Sequence, residues 1–216
     1  MLVDMHIHTA VSSPCSRIQP RDLLVVARKI GLDGICVTEH EEWEGAEAAW
    51  RLGKEAGFPV FRGVEVYTEF GDMLVFGLRK ERFPFQVGFR ELLREVREAG
   101  GIIIPCHPCR GGKSLHDLLG KKNADFLLAN VDAVEIRNGG STVEANRAAE
   151  ETASRYGLPG VGGSDAHLLF QVGRCLTVFE RRLEDEEDLV REVREGRCRA
   201  AYAEEVEGVD LTSAWA

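Results

Sequence analysis

Near its start the chain reads "DMHIHT", with His6 and His8 one residue apart behind Asp4. Further along come "TEH" ending at His40, "GVEV" with Glu65, "CHP" with His107, "EIRNG" with Glu135, and "GSDAH" with Asp165 and His167. A single histidine is usually a satisfied core or surface group, and His116 in "KSLHDLLG" reads that way. The other five of the six histidines all fall in short apolar runs, and that repetition requires another explanation. Imidazoles and carboxylates gathered at one point leave their charges poorly compensated unless divalent cations lie among them. A nitrogen and oxygen donor set with no obligatory thiolate suits Zn²⁺, Mn²⁺ or Fe²⁺.

Strands are the elements that must position these groups. Runs rich in Val and Ile over 2–8, 34–40, 60–67, 72–78, 101–108, 133–138, 160–167 and 175–180 read as strands. Between them lie amphipathic helix candidates, among them "PRDLLVVARKIG", "FRELLREVREAGG" and "TVEANRAAEETASRYG". The pair 60–67 and 72–78, joined by "TEFG", reads as a hairpin. Elsewhere the alternation predicts an α/β fold with a largely parallel sheet and helical crossovers, open or closed into a barrel. Residues i and i+2 of a strand share a face, so His6 and His8 point together. His40, Glu65, His107, Glu135, Asp165 and His167 fall in or at the ends of later strands. In parallel α/β folds the C-terminal strand ends form the face on which sites are built.

Composition narrows the function. The 216 residues are 44% hydrophobic and 29% charged, which fits a folded chain read here as one domain over 1–216. A formal net charge of −9 argues against a dedicated grip on the phosphate backbone of nucleic acids. No apolar run approaches the roughly 20 residues of a membrane span, and the N-terminus lacks a signal-peptide pattern, so a cytoplasmic protein is expected. The six cysteines read as thiols, with Cys36, Cys175 and Cys198 as small core residues. The acidic stretch "ERRLEDEEDLVREVREG" reads as a solvated helix face.

Taken in order and at these separations, "DMHIHT", "TEH", "GVEV", "CHP", "EIRNG" and "GSDAH" resemble the PHP (polymerase and histidinol phosphatase) superfamily of metal-dependent phosphoesterases. The likeness runs from residue 2 to about residue 180. It implies a distorted seven-stranded (βα)7 TIM-like barrel with two or three divalent ions (Zn, Mn or Fe) at the C-terminal strand ends. By position it implies that His6, His8, Glu65 and Asp165 surround one metal, that Glu65 bridges to a second held by His107, and that His40 and His167 take a third. Two positions depart from the family pattern. Ser13, Pro14 and Cys15 stand where an Asp or His is usual, which makes Cys15 a possible thiolate donor, and Asp72 stands where a histidine is common and is expected to bind a hard cation in its place.

The activity these readings lead to is hydrolysis of a phosphate ester by metal-activated water. The resemblance points to a small metabolite, histidinol phosphate, or a nucleotide or nucleic-acid end as substrate. Arg110, Arg137 and Arg174 lie in or near strand-end loops and are candidates for the phosphate, and His40 or His167 for protonating the leaving oxygen. Three alternatives stand beside it: carbon–nitrogen bond hydrolysis with similar ligands, a redox or structural-metal role for Cys106 and Cys109 in "CHPC", and a metal-binding module that has lost catalysis. The intact Glu65, Asp165 and His167 speak against the last.

Overall fold

Described over residues 1–215, the computed structural model places the Val- and Ile-rich runs in strands and the amphipathic runs in helices. In chain order these are β1 (Leu2–Asp4), α1 (Pro20–Lys29), β2 (Gly34–His40), α2 (Glu44–Ala56), β3 (Val60–Thr68), β4 (Gly71–Phe76), α3 (Phe89–Glu98) and β5 (Ile102–Pro105). Then follow α4 (Leu115–Leu119), α5 (Lys121–Leu128), β6 (Val134–Asn138), α6 (Val143–Tyr156), β7 (Gly160–Gly163), β8 (Cys175–Phe179), α7 (Glu186–Arg194) and β9 (Cys198–Tyr202). Local chemistry sets several ends. Pro20 opens α1, where its missing N–H is no loss. The side chains of Thr142 and Asp185 accept the backbone N–H groups of Ala145 and Asp188 at the starts of α6 and α7.

Seven strands form one curled sheet in the order β5-β4-β3-β2-β1-β8-β9, a half barrel, and β6 and β7 form a second, parallel pair. β6 lies beside β5, and β7 beside β1, β8 and β9, so the pair stands across the open side of the curl. The expectation of a largely parallel sheet needs correcting. Only β1–β2 and β2–β3 of the large sheet are parallel; β3–β4, β4–β5, β1–β8 and β8–β9 are antiparallel. The β3–β4 hairpin reverses the chain, so β5 returns against β4. Between β7 and β8 there is a short 3₁₀ turn, Leu169–Gln171, instead of a crossover helix, and the chain doubles back along β1.

Two kinds of apolar layer hold these elements. On the outer face, Val64, Val66, Met73, Val75 and Ile103 pack with Phe89, Leu92 and Val96 of α3 and Leu127 of α5. Ile35 and Val37 of β2 pack with Leu23 and Ala27 of α1 and Ala46 and Ala49 of α2. On the inner face, Cys36, Phe61, Leu74, Phe76, Ile102 and Ile104 join Leu189, Val190 and Val193 of α7, which plugs one end. α7 is therefore only half solvated, since its apolar residues and Glu192 are buried.

Candidate metal centre

The inner rows change chemistry as they climb. On β3 the row runs Phe61, Gly63, Glu65, Tyr67; on β4 Asp72 faces Tyr67 in register, and on the β5 edge Cys106 follows Ile102 and Ile104. The lower residues are apolar and the upper ones are donors, so the core and the site share the same strands. His6 and His8, just past β1, are wholly buried and enter the same space; Ile7 between them bridges to Ala166 beside Asp165 and His167. His107 and Asp165 have φ of 35° and 54°, in the left-handed region that non-glycine residues seldom adopt. Both turns come directly at strand ends and aim the side chains inward, a placement common at functional sites.

Glu65 is the hub. Its Oε1 is 3.0 Å from His107 Nε2, and its Oε2 is 3.1 Å from His8 Nε2, 3.1 Å from His40 Nδ1 and 3.3 Å from His6 Nε2. Asp165 Oδ1 stands 3.6 Å from His6 Nε2 and 3.4 Å from His8 Nε2, and its Oδ2 3.9 Å from His107 Nε2. Donor atoms within 4.8 Å of one another form three overlapping groups: His6, Glu65, Cys106 and His107; His8, His40 and His167; and His6, His8 and Asp165. The Nε2 atoms of His6 and His8 approach to 3.0 Å. Glu135 Oε1 lies 3.0 Å from His6 Nδ1; a proton held there turns the His6 Nε2 toward His8 as the atom that a cation would take in place of a proton. Two imidazole nitrogens and two carboxylates converging in a buried space suit a divalent cation, so the donor set fits a metal.

The charge balance agrees. Burial alone lowers His6, yet Glu135, Asp165 and Glu65 hold it well above the usual imidazole value. His8 is raised in the same way, with Asp165 and Glu65 outweighing burial. Burial raises Glu65 and Asp165, but the surrounding histidines hold both below the ordinary carboxylate range. The site thus keeps its carboxylates ionised and draws positive charge.

The PHP domain profile matches residues 4–156, and that of the PHP-associated region residues 143–198. The chain belongs to the PHP family. Uncharacterized protein MJ0417 of Methanocaldococcus jannaschii is 30% identical over 195 residues, covering 88% of this chain and 75% of its own. Among solved structures, a two-domain protein from Bacteroides vulgatus, described as containing a predicted PHP-like metal-dependent phosphoesterase, aligns with a TM-score of 0.71 at 19% identity, over 94% of this chain and 64% of its own. An amidohydrolase from Chromobacterium violaceum aligns with a TM-score of 0.62 at 16% identity, over 77% and 87%. At these identities the structures speak to the PHP fold alone.

Within this PHP domain the structure brings together His6, His8, His40, Glu65, His107, Asp165 and His167, all named from sequence. Asp72 stands at the rim, 38% exposed, with Oδ2 4.0 Å from His107 Nδ1. Cys15 is exposed and belongs to none of the three donor groups. Of the arginines, Arg137 and Arg174 are not brought to the cluster. A β-bulge between Glu135 and Arg137 breaks the alternation of β6, so Arg137 turns outward to Glu150 of α6 and the Tyr202 ring. Arg174 lies exposed over Phe170. Arg110 is the arginine that arrives, hydrogen-bonded to Asp165 and 3.4 Å from Asn138 Oδ1. His116, set aside in the sequence, lies 2.9 Å from the Tyr156 hydroxyl and 3.3 Å from Asp125.

Sequence reasoning missed two participants, Glu39 and Asn138, and gave a third, Cys106, only a redox or structural-metal role. Cys106 donates its thiol proton to Glu65 Oε1 at 3.2 Å. Glu39 is buried beside the site and accepts from the Thr9 backbone N–H and from the hydroxyls of Thr9 and Ser13. Strand alternation pointed it away from His40, and nothing in "TEH" marks its partners. Asn138 donates to Glu135 Oε2 at 2.9 Å, in the inward place that the bulge took from Arg137.

Proposed function

We propose that this PHP protein is a metal-dependent phosphoesterase acting on the phosphate ester of a small metabolite or a nucleotide or nucleic-acid end. The observation that carries the reading is Glu65, whose two carboxylate oxygens face different histidine groups, His107 on one side and His6, His8 and His40 on the other. One carboxylate so placed can join two cations. His6, His8, Glu65 and Asp165 would hold one, Glu65 with His107 a second, and His40 with His167 a third. Bound there, Zn, Mn or Fe supplies a water of lowered pKa and neutralises the charge of a phosphate.

The chain's own groups have separate tasks. Arg110, about half exposed beside Asp165, offers a forked donor to phosphate oxygens at the mouth. His40, 37% exposed, delivers a proton to the leaving oxygen when no third cation engages its ring. His167 is the weaker candidate for that role, because burial and the neighbouring His8 lower its pKa and favour the neutral ring. Glu135 and Asn138 orient His6.

Elemental analysis of purified protein, with a screen of phosphorylated metabolites and short oligonucleotides in Mn²⁺, tests the reading. His8→Ala and Asp165→Ala should each lose metal and turnover together. Full turnover in either variant, or cleavage of an amide with no phosphoester cleaved, would overturn it; the second result would favour the carbon–nitrogen chemistry named in the amidohydrolase neighbour.

A further inference from the structure

Glu65 and His107 are too few by themselves to hold the second cation. Glu65 Oε1 and His107 Nε2 lie 3.0 Å apart, whereas a catalytic zinc takes three protein ligands and keeps a further position open. Asp72 does not complete the set from the Glu65 side. Its Oδ2 lies 4.0 Å from Nδ1, the other nitrogen of the His107 ring, and its side chain is 38% exposed. Cys106 is better placed. It continues the inward row of Ile102 and Ile104, is buried, and gives its backbone N–H to the Asp72 carbonyl at 3.1 Å. Its Sγ stands 3.2 Å from the same Glu65 Oε1 that faces His107. Bonds of about 2.3 Å to sulfur and about 2.0 Å to oxygen span that separation. The donor atoms of Cys106, Glu65, His107 and His6 all lie within 4.8 Å of one another. Cys109, the other cysteine of "CHPC", belongs to none of the donor groups, so Cys106 stands as a single sulfur among imidazoles and a carboxylate, not as half of a dithiol.

We infer that Cys106 is a thiolate ligand of the second cation, beside Glu65 and His107, and biases that position toward zinc over manganese. The inference rests on the metal-centre part of the phosphoesterase reading and is independent of the substrate. A sulfur–metal bond takes the place of the S–H bond, and the proton that Cys106 gives to Glu65 leaves to solvent, because a coordinated thiol is deprotonated. Both partners of that hydrogen bond then share an ion in place of a proton. Thiolate is a soft donor that selects zinc, whereas manganese is suited by carboxylate, carbonyl and water oxygens. One sulfur at this position therefore sets a metal preference that an all-nitrogen-and-oxygen set does not.

Cobalt reads the sulfur directly, because thiolate bound to Co²⁺ gives a near-ultraviolet charge-transfer band that imidazole and carboxylate ligands do not. Stripped with a chelator and loaded with Co²⁺, the wild type should show the band, and Cys106→Ser should bind cobalt without it. Cys15→Ser, which removes the exposed thiol outside the donor groups, should keep it. Serine can still donate a hydrogen bond to Glu65, so a purely positioning role for Cys106 leaves the Zn²⁺ affinity of Cys106→Ser unchanged. A ligand role lowers it by more than the roughly 10- to 100-fold that an orienting group is worth, with Mn²⁺ affinity changed less. Cobalt bound by the wild type with no band, a band that survives in Cys106→Ser or is lost in Cys15→Ser, or unchanged Zn²⁺ affinity in Cys106→Ser overturns the inference and leaves the phosphoesterase reading standing. Should Cys106→Ser not fold, the other two spectra decide: a band in both supports the inference, and its absence from either overturns it. A wild type that takes up no divalent ion overturns the inference and the phosphoesterase reading together.

Discussion

Glu135 makes no donor group of its own, yet it governs the residue at the centre of the site. It accepts from the His107 backbone N–H at 2.7 Å and from Asn138 Nδ2 at 2.9 Å through one oxygen, and meets His6 Nδ1 with the other. Replacing it with glutamine sets an amide N–H against one of those donors and removes the charge that holds the His6 ring. Glu135→Gln should weaken metal binding roughly 10- to 100-fold, as loss of a ligand-orienting carboxylate does elsewhere, measured by competition with a chelator. Unchanged affinity would mean that His6 is positioned by packing alone. His40 is tested differently. If it protonates the leaving oxygen, His40→Gln should slow an alkyl phosphate on the order of 100-fold or more and spare p-nitrophenyl phosphate, whose leaving group needs no proton. Equal losses on both, with metal lost too, would make His40 a ligand only.

Elements explain which of these residues the sequence could reveal. The donors at strand ends were legible because alternation along a strand is a strong constraint: Glu65 had to share a face with Phe61, and His6 with His8. The hairpin was legible from "TEFG". The bulge in β6 was not, since nothing in "VEIRN" marks it, and one extra residue there exchanged Arg137 for Asn138 in the site. β9, "CRAAY", has almost no strand-forming composition and exists because β8 offers it an edge. Gly163 shows how closely β7 must approach β1. A Cβ there would lie 2.4 Å from His6 Cβ and 2.6 Å from its backbone nitrogen. Gly163→Ala should therefore cost about 1–3 kcal/mol and displace His6, visible as a lower thermal midpoint together with weaker metal binding. A variant with lowered stability but wild-type metal affinity would show that β1 absorbs the shift without moving the ligand.

Across the whole molecule, Asp4 joins segments some 160 residues apart. Wholly buried, it accepts the backbone N–H groups of Ser164 at 2.8 Å and Gly173 at 2.8 Å, with His6 at 3.3 Å, so the first strand is tied to the chain on both sides of the turn that precedes β8. Burial raises its pKa to about 6 against the lowering effect of those hydrogen bonds. The sign of the consequence follows from proton counting. Between about pH 4 and pH 6 the folded state keeps a proton that the unfolded chain has released, so this group's contribution to stability falls as pH rises through that window and levels off above it. The span from 3.8 to about 6 corresponds to about 3 kcal/mol at most. Asp4→Asn cannot titrate, so the stability of wild type minus that of the variant, from urea unfolding at pH 4.5, 5.5 and 6.5, should decrease along the series. A difference that stays constant, or grows with pH, would mean that three backbone N–H groups outweigh burial and that Asp4 is ionised throughout, making the tie strongest at neutral pH.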